Sequence, residues 1–352
     1  MTFGARVAAA IARIRFRGVV PLVLMTTLIV AVGAYTALRQ DAFLSNYNLN
    51  NLLLATLPLA LVSLGQTSAL LVGGFDVSVA ALMTLCVVVA SYTMTPTTST
   101  AALIPGALLL VGVGLAVGIF NATLIRVFRL PSIIATIGTL SILEGASLWL
   151  RDHPEGSISS DAIDSLTTSW SFVPLAFIGV VILALLGDLW LYRSRTGMAL
   201  RAVGLDETSS RRLGIRTDRV VILAFVACSV MASIAGFYLA AEVQIGSPII
   251  GNFALESIAA GVLGGASLAG GRGSFFGTLL AALFLSLIDN VLPLFHQPTE
   301  YAEMTIGVLI LVALILYQGP ELIDRLRSSW GGVGRLRGSR GEAGEPGEAE
   351  AV

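Results

Sequence analysis

The stretch RSRTGMALRAVGLDETSSRRLGIRTDR, from Arg193 to Arg219, carries seven arginines against three acids (Asp206, Glu207, Asp218), a net charge of +4 in twenty-seven residues. Everything on either side of it is oily. The island is too short for a domain and too charged for a lipid core. It therefore has to sit in water between two membrane-embedded halves. A polar segment this long, basic and central is a candidate docking surface for a cytoplasmic partner.

The bulk composition points the same way. The chain has 352 residues, 55% hydrophobic and 12% charged, with a mean hydropathy of +0.86. Soluble domains carry about 25% charged residues, so much of this chain's surface must face lipid. The net charge of −1 says little as a total; all 21 basic residues are arginine, and their placement is informative. Cys86 and Cys228 lie inside apolar runs and read as small buried hydrophobes rather than a disulfide or redox pair. His153 and His296 sit in separate polar loops without ligand spacing, so no metal site is expected.

A hydrocarbon core of about 30 Å takes roughly 20 apolar residues of helix. Such runs occur at approximately 19–38, 52–72, 77–95, 101–127, 131–150, 171–192, 220–241, 253–270, 274–294 and 301–318. The second/third and eighth/ninth pairs are joined by glycine-rich hinges and are candidates for broken helices. Helix is the element expected, because lipid leaves no other partner for the backbone of an apolar run. With ten spans and an inside N-terminus, nineteen arginines fall on the cytoplasmic side, including Arg126, Arg129 and Arg272. Only Arg39 and Arg151 fall outside, among Asp41, Asp152, Glu155, Asp161, Asp164, Glu300 and Glu303. The positive-inside bias thus agrees with both termini being cytoplasmic. The domain organisation expected is a cytoplasmic segment 1–18, a first bundle 19–192 of about six spans, the loop 193–219, a second bundle 220–318 of about four, and a cytoplasmic tail 319–352. Segment 3–17 reads as a charged tail or as a short helix on the inner leaflet. Segment 151–170 is the longest outside loop, and the chain from about Ser328 reads as disordered.

Ionisable groups within oily runs need a reason. Asp76 follows Gly73-Gly74 at the second/third junction, Glu144 lies inside the fifth span, Glu256 opens the eighth, and Asp289 adjoins Asn290 near the end of the ninth. Asp76 and Glu256 suit helix caps or first-turn acids, which the unpaired N–H groups and dipole of a helix start favour. Glu144 is mid-helix and is read equally as a path or an interhelical contact. Asn121, Thr136, Thr139 and Ser141 are either interhelical hydrogen-bonding groups or the lining of a solute path. Gly264-Gly265, Gly270-Gly271, Gly273 and Gly277 permit close helix approach and tight turns. They are no phosphate cradle, since a P-loop needs a lysine and the chain has none. The energy source must come from elsewhere.

Gly73-Gly74-Phe75-Asp76-Val77-Ser78 resembles the GG-x-D-[LV]-S segment of the ribose/xylose-type ABC importer permeases. Leu130-Pro131-Ser132 through Ile142 resembles the same family, as does Leu263-Gly264-Gly265-Ala266-Ser267-Leu268-Ala269-Gly270-Gly271-Arg272-Gly273-Ser274. These matches run from about 45 to 318. Thr196 through Gly204 resembles the approach to the family's cytoplasmic coupling helix, and Arg211 through Gly214-Ile215 its end. Ser209-Ser210 stands where paired alanines are usual, Ala80 and Ala122 where glycine is common, Glu144 where arginine is frequent, and Glu256 where aspartate is.

The resemblance implies an all-α polytopic membrane protein of about ten spans with a type II-like ABC-importer permease architecture, resident in the inner membrane. It implies an ABC ATPase subunit, an extracytoplasmic solute-binding protein and a second permease copy, identical or paired. No cofactor is expected on this chain; ATP and magnesium belong to the ATPase. No nucleic acid is implicated. Gly197, Arg201, Gly204, Glu207, Arg211 and Gly214 are the expected coupling residues. Asp76, Asn121, Thr136, Ser141, Glu144, Glu256, Asp289 and Asn290 are the candidates for the translocation path. The expected cargo is a monosaccharide or related small polar solute; nucleosides or branched-chain amino acids are the alternative within this architecture. An ion-gradient-driven secondary transporter would rest on Glu144 alone, and a membrane enzyme would need a clustered acid/base or metal constellation that is not visible.

Overall fold

The computed structural model describes residues 3–308 except 97, 99, 250, 299–300, 302–303 and 306, and gives side chains from Val20 onward except 100–102 and 165. The tenth expected span and the tail therefore lie largely outside the described residues. Helix dominates. In chain order the helices are α1 (Phe3–Arg39), α2 (Asn46–Leu71), α3 (Val79–Thr93), α4 (Thr100–Arg126), α5 (Ser132–Leu150), α6 (Ser160–Thr167), α7 (Leu175–Arg193), α8 (Arg195–Leu205), α9 (Glu207–Arg212), α10 (Thr217–Val243), α11 (Phe253–Leu263) and α12 (Phe275–Leu294). Short strands β1 (Glu155–Ser157), β2 (Ser169–Trp170), β3 (Val173–Pro174) and β4 (Ile245–Gly246) pair as β1–β4 and β2–β3, both antiparallel.

Seven of these helices are long and apolar enough to cross a membrane: those containing 20–39, 46–71, 103–126, 132–150, 175–193, 217–243 and 275–294. α3 and α11 are apolar but short, at 15 and 11 residues. At 1.5 Å per residue α11 is only about 16 Å long, roughly half the hydrocarbon thickness. The eighth run thus stops at Leu263, and residues 264–274 form a turn instead of continuing the helix. α1 runs unbroken from Phe3, so segment 3–17 continues the first span as helix.

Both breaks are made in one way. After α2, the Gly74 N–H bonds the Ala69 carbonyl and the Gly73 N–H bonds that of Leu70, each at 2.9 Å. After α11, the Ala266 N–H bonds Gly261 and the Gly265 N–H bonds Val262, again at 2.9 Å. Each pair closes a Schellman cap, whose pivot must be left-handed. Gly73 (φ 74°) and Gly265 (φ 101°) supply it without a Cβ penalty.

α10 is the centre of the packing, lying against α2, α3 and α4, while α12 packs on α2, α11 and α1. The parts before and after the central loop therefore interleave within one compact unit ending at Ile306. Small residues let α10 approach: a Cβ on Gly118 would stand 2.7 Å from the Val226 Cα, and one on Gly65 2.8 Å from the Cys228 carbonyl. Cys86 and Cys228 are free and fully buried. At one end of the molecule, segment 151–174 folds over the helix ends. The Arg151 Nε donates to Ser91 Oγ at 2.8 Å and its guanidinium stacks over Tyr92 at 4.2 Å. Asn50 holds the β2–β3 hairpin by bonds to Ser169 and Phe172. The Asn48 and Asn290 amides exchange two hydrogen bonds of 3.1 Å, pinning the start of α2 to α12.

Candidate functional site: coupling elbow, hinges and buried polar node

At the opposite end, α7 and α8 form an elbow with one non-helical residue, Ser194, between them. Ser194 Oγ caps α8 by accepting from the Gly197 N–H at 2.9 Å. A Cβ on Gly197 would lie 2.5 Å from the Trp190 carbonyl oxygen, so the elbow is tightly closed. Asp206 then caps α9, accepting from the Ser209 N–H and hydroxyl. Those bonds, the side-chain one foremost, hold its carboxyl below the usual carboxylate range.

α8 rests directly on both glycine hinges. A Cβ on Gly204 would collide with the Leu71 carbonyl oxygen and stand 2.5 Å from the Gly271 nitrogen, and those two atoms are themselves hydrogen-bonded at 2.8 Å. Gly204 is required here by close approach rather than by its dihedral angles. The Arg201 guanidinium stacks over the Tyr192 ring at 4.5 Å, and the Tyr192 hydroxyl donates to the Gly273 carbonyl at 3.0 Å.

α9 is bound to the body by charge. Arg126, ending α4, grips Glu207 with two bonds of 2.5 and 3.2 Å and reaches Asp218 at 2.8 Å. Arg211 adds a contact to Glu207 at 3.1 Å and one to Thr217 at 3.0 Å. The Arg126 hydrogen bond leads in drawing the Glu207 carboxyl below its usual 4.5. Gly214 turns the chain into α10 with φ 84°. Of the six expected coupling residues, Gly197, Arg201 and Gly204 lie on α8, Glu207 and Arg211 on α9 and Gly214 in the turn after it; Arg201, Gly204 and Glu207 face the body. The outward face is apolar, with Met198, Leu205 and Leu213 exposed at 50%, 63% and 81%, framed by the exposed Arg195, Arg211, Arg212 and Arg219. Sequence reasoning, drawn to the charges, missed these three.

The hinge after α2 leads into a buried polar node. Asp76 is fully buried. Its carboxylate accepts from the Ser78 N–H at 3.0 Å and the Ser78 hydroxyl at 2.5 Å. Asn121 of α4 and Ser229 of α10 approach it at 3.5 and 3.4 Å. Asn121 also donates to Ser78 Oγ at 2.9 Å and accepts from Thr139 of α5 at 2.6 Å. Thr136 Oγ1 accepts from the Val77 N–H at 3.2 Å. The Gln66 amide pairs with the Asp76 backbone, its nitrogen toward the carbonyl at 3.1 Å and its oxygen toward the N–H at 3.2 Å. The carboxylate itself reaches α4 and α10; α2 is joined through the Asp76 backbone, and α5 through Asn121 and the Val77 N–H.

The other path candidates are dispersed. Ser141 and Glu144 are exposed, on the face of α5 turned away from the chain's own body, with Ile137, Ile142 and Leu148 beside them. Glu256 is a half-buried first-turn acid of α11, Asp289 is exposed, and Asn290 is committed to Asn48. Asp188 of α7 was absent from the sequence-based candidates. Its signal was present: an acid inside the apolar run LLGDLWLY, 185–192. It accepts from the Ser274 hydroxyl at 2.7 Å and from the Phe275 and Phe276 N–H groups at 2.7 and 3.2 Å, capping α12 from a different helix. A cavity of about 280 Å³ opens at the far end between α2, α6 and α10, lined in part by Asn51, Ile163, Tyr238 and Glu242.

The family described as branched-chain amino acid transport system / permease component matches residues 48–314. The chain belongs to this permease family. The autoinducer 2 import system permease protein LsrC of Enterobacter sp. (strain 638) is 32% identical over 296 residues, covering 81% of this chain and 82% of that protein. The LsrC of Yersinia pseudotuberculosis serotype O:1b (strain IP 31758) is 33% identical over 271 residues, 74% of each chain. No solved structure matches. The protein is thus a multi-pass permease subunit of an ATP-binding-cassette importer, a transport component rather than an enzyme. This membership overturns the secondary-transporter alternative.

Proposed function

We propose that this permease pairs with a second permease copy and an ATPase that docks on the 193–219 elbow, and carries a small hydroxyl-rich solute of the autoinducer-2 or monosaccharide type. The solute class is taken from the LsrC relatives and from the sugar-permease motifs at 73–78 and 263–274. The observation that carries the mechanism is the seat of α8: Gly204 lies on Leu71 and Gly271, the last turn of α2 and the turn after α11. A displacement of α8 reaches both broken helices at once, and through the first of them the Asp76 node. Two arrangements of those helices biased by the ATPase are what alternating access requires.

The path itself runs between two copies, along the outward face of α5. An ionisable side chain on an apolar helix is stable when it meets a partner subunit or a wet cavity rather than lipid, and Glu144 with Ser141 supports that placement. Both termini and the elbow lie in the cytoplasm, and segment 151–174, with its acids Asp152, Glu155, Asp161 and Asp164, faces the extracytoplasmic binding protein. The test is purification of the tagged chain from native membranes, followed by uptake of autoinducer-2 and ribose in vesicles reconstituted with what copurifies. Copurification of an ATPase and ATP-dependent uptake of one probe is expected; absence of any ATPase refutes the reading.

A further inference from the structure

We infer that Asp188 and Tyr192 are positioning residues that hitch α12 to the coupling elbow, so that α12 moves with α7 and α8 when the ATPase acts. The inference rests on the docking reading above. The grip falls on six of the seven residues 270–276. Gly270 and Gly271 lie against Gly204 and Leu205, since Cβ atoms there would meet the Gly204 carbonyl at 2.7 Å and the Leu205 side chain. Gly273 is held by the Tyr192 hydroxyl at 3.0 Å. Ser274, Phe275 and Phe276 are all bonded to the Asp188 carboxylate. Every one of these holding groups belongs to α7 or α8.

The chemistry explains why a carboxylate sits inside an apolar helix. The first N–H groups of α12 have no partner within their own helix, and the helix dipole favours negative charge there. Ser274 Oγ serves Gly277, which leaves Phe275 and Phe276 to Asp188. Ser274 already caps α12 locally, so the bonds from Asp188 add a second cap that crosses from α7. The cap as built transmits force between helices, because hydrogen bonds to a charged group hold their geometry more strongly than packing alone. Tyr192 joins the two ends of the device, accepting the Arg201 stack on its ring while its hydroxyl holds Gly273.

The experiment uses the complex with its copurified ATPase in lipid nanodiscs. Gln297→Cys, just beyond the far end of α12 and exposed, is labelled with a polar maleimide with and without ATP plus vanadate. The native cysteines are fully buried and stay silent. In the otherwise unsubstituted chain, nucleotide is expected to change the labelling rate. With Asp188→Ala or Tyr192→Phe, ATP hydrolysis should stay within twofold while the nucleotide-dependent change in labelling shrinks at least fivefold. Asp188→Asn, which keeps one acceptor oxygen, should fall between. An unchanged labelling response overturns the inference, and so does a loss of hydrolysis in proportion to labelling, which would make the hitch merely structural. Should Asp188→Ala fail to accumulate, Tyr192→Phe decides alone, since it removes one hydroxyl and keeps the ring under Arg201. Failure of the unsubstituted chain to retain an ATPase removes the docking reading, and the hitch with it.

Discussion

Replacing Gly204 by alanine adds one methyl group at the junction of the elbow and both hinges. That carbon would overlap the Leu71 carbonyl and stand 2.5 Å from the Gly271 nitrogen, where ordinary contact begins at 3.4 Å. α8 must lift, or the 2.8 Å bond between Gly271 and Leu71 must open. Overpacking costs about 1–3 kcal/mol and a lost hydrogen bond about 1 kcal/mol. Against this, alanine improves a helix by about 1 kcal/mol over glycine. The net loss is about 1–3 kcal/mol, a ~5- to 140-fold shift toward the lifted elbow. Hydrogen exchange at residues 199–205 and at Gly271 reads that equilibrium directly. Exchange there should accelerate by that factor while the α3 and α10 amides stay protected. The sign is decisive: on a helix with open space beside it, the same substitution slows exchange. Slower or unchanged exchange refutes the seat of α8 on the hinges.

Asp76→Ala strands the Ser78 N–H and the Ser78 hydroxyl in a buried site, at about 1–3 kcal/mol per group. Asp76→Asn keeps an acceptor for Ser78, so it should melt higher in detergent; equal melting points refute the node. Glu144→Gln should leave expression unchanged and alter the uptake rate several-fold in vesicles. If neither changes, Glu144 is an ordinary interhelical contact. The Arg126–Glu207 clamp should be insensitive to pH across the neutral range: the Glu207 carboxyl is held below its usual 4.5, so its stabilisation is complete above that value and fades as pH falls through the lower folded one. Each exposed pair contributes about 0–1 kcal/mol. Proteolysis of the 206–216 loop that rose between pH 8 and 6 would contradict this. Leu213→Cys should label in inside-out vesicles and stay dark in intact cells; labelling from outside removes the elbow from the ATPase's reach.

The helical body, the hinge breaks and the elbow were legible because each leaves a local signature: apolar length, paired glycines, clustered arginines. The structure refines the span at 253–270, which the apolar run extended through Ser267-Leu268-Ala269. Hydropathy does not register that Gly264 ends the helix and Gly265 turns left-handed. The convergence of Asp76, Asn121 and Thr139 was legible only as separate polar residues, since what joins them is the crossing of α4, α5 and the hinge. Ser141 and Glu144 fell on the opposite face of α5 from Thr136 and Thr139, a division that follows from helical phase. Asp188 escaped because a single acid near the end of a span looks like an interfacial residue. Its partners are 86 to 88 positions away, and no local pattern announces a cap supplied from another helix.

The central place of α10 also governs the order in which the molecule can be completed. A chain grows from its N-terminus, so α2, α3 and α4 enter the bilayer while residues 217–243 are still unmade. Until those residues arrive, the close approaches of Gly65 on α2 and of Gly114 and Gly118 on α4 to α10 are unmade, and Ser229 cannot reach Asp76. The early segments must wait in lipid with those contacts absent and an incompletely solvated carboxylate. Maturation is thus timed by the emergence of α10, the sixth long helix, and a ribosome that stalls before it leaves a product suited to quality control rather than to transport.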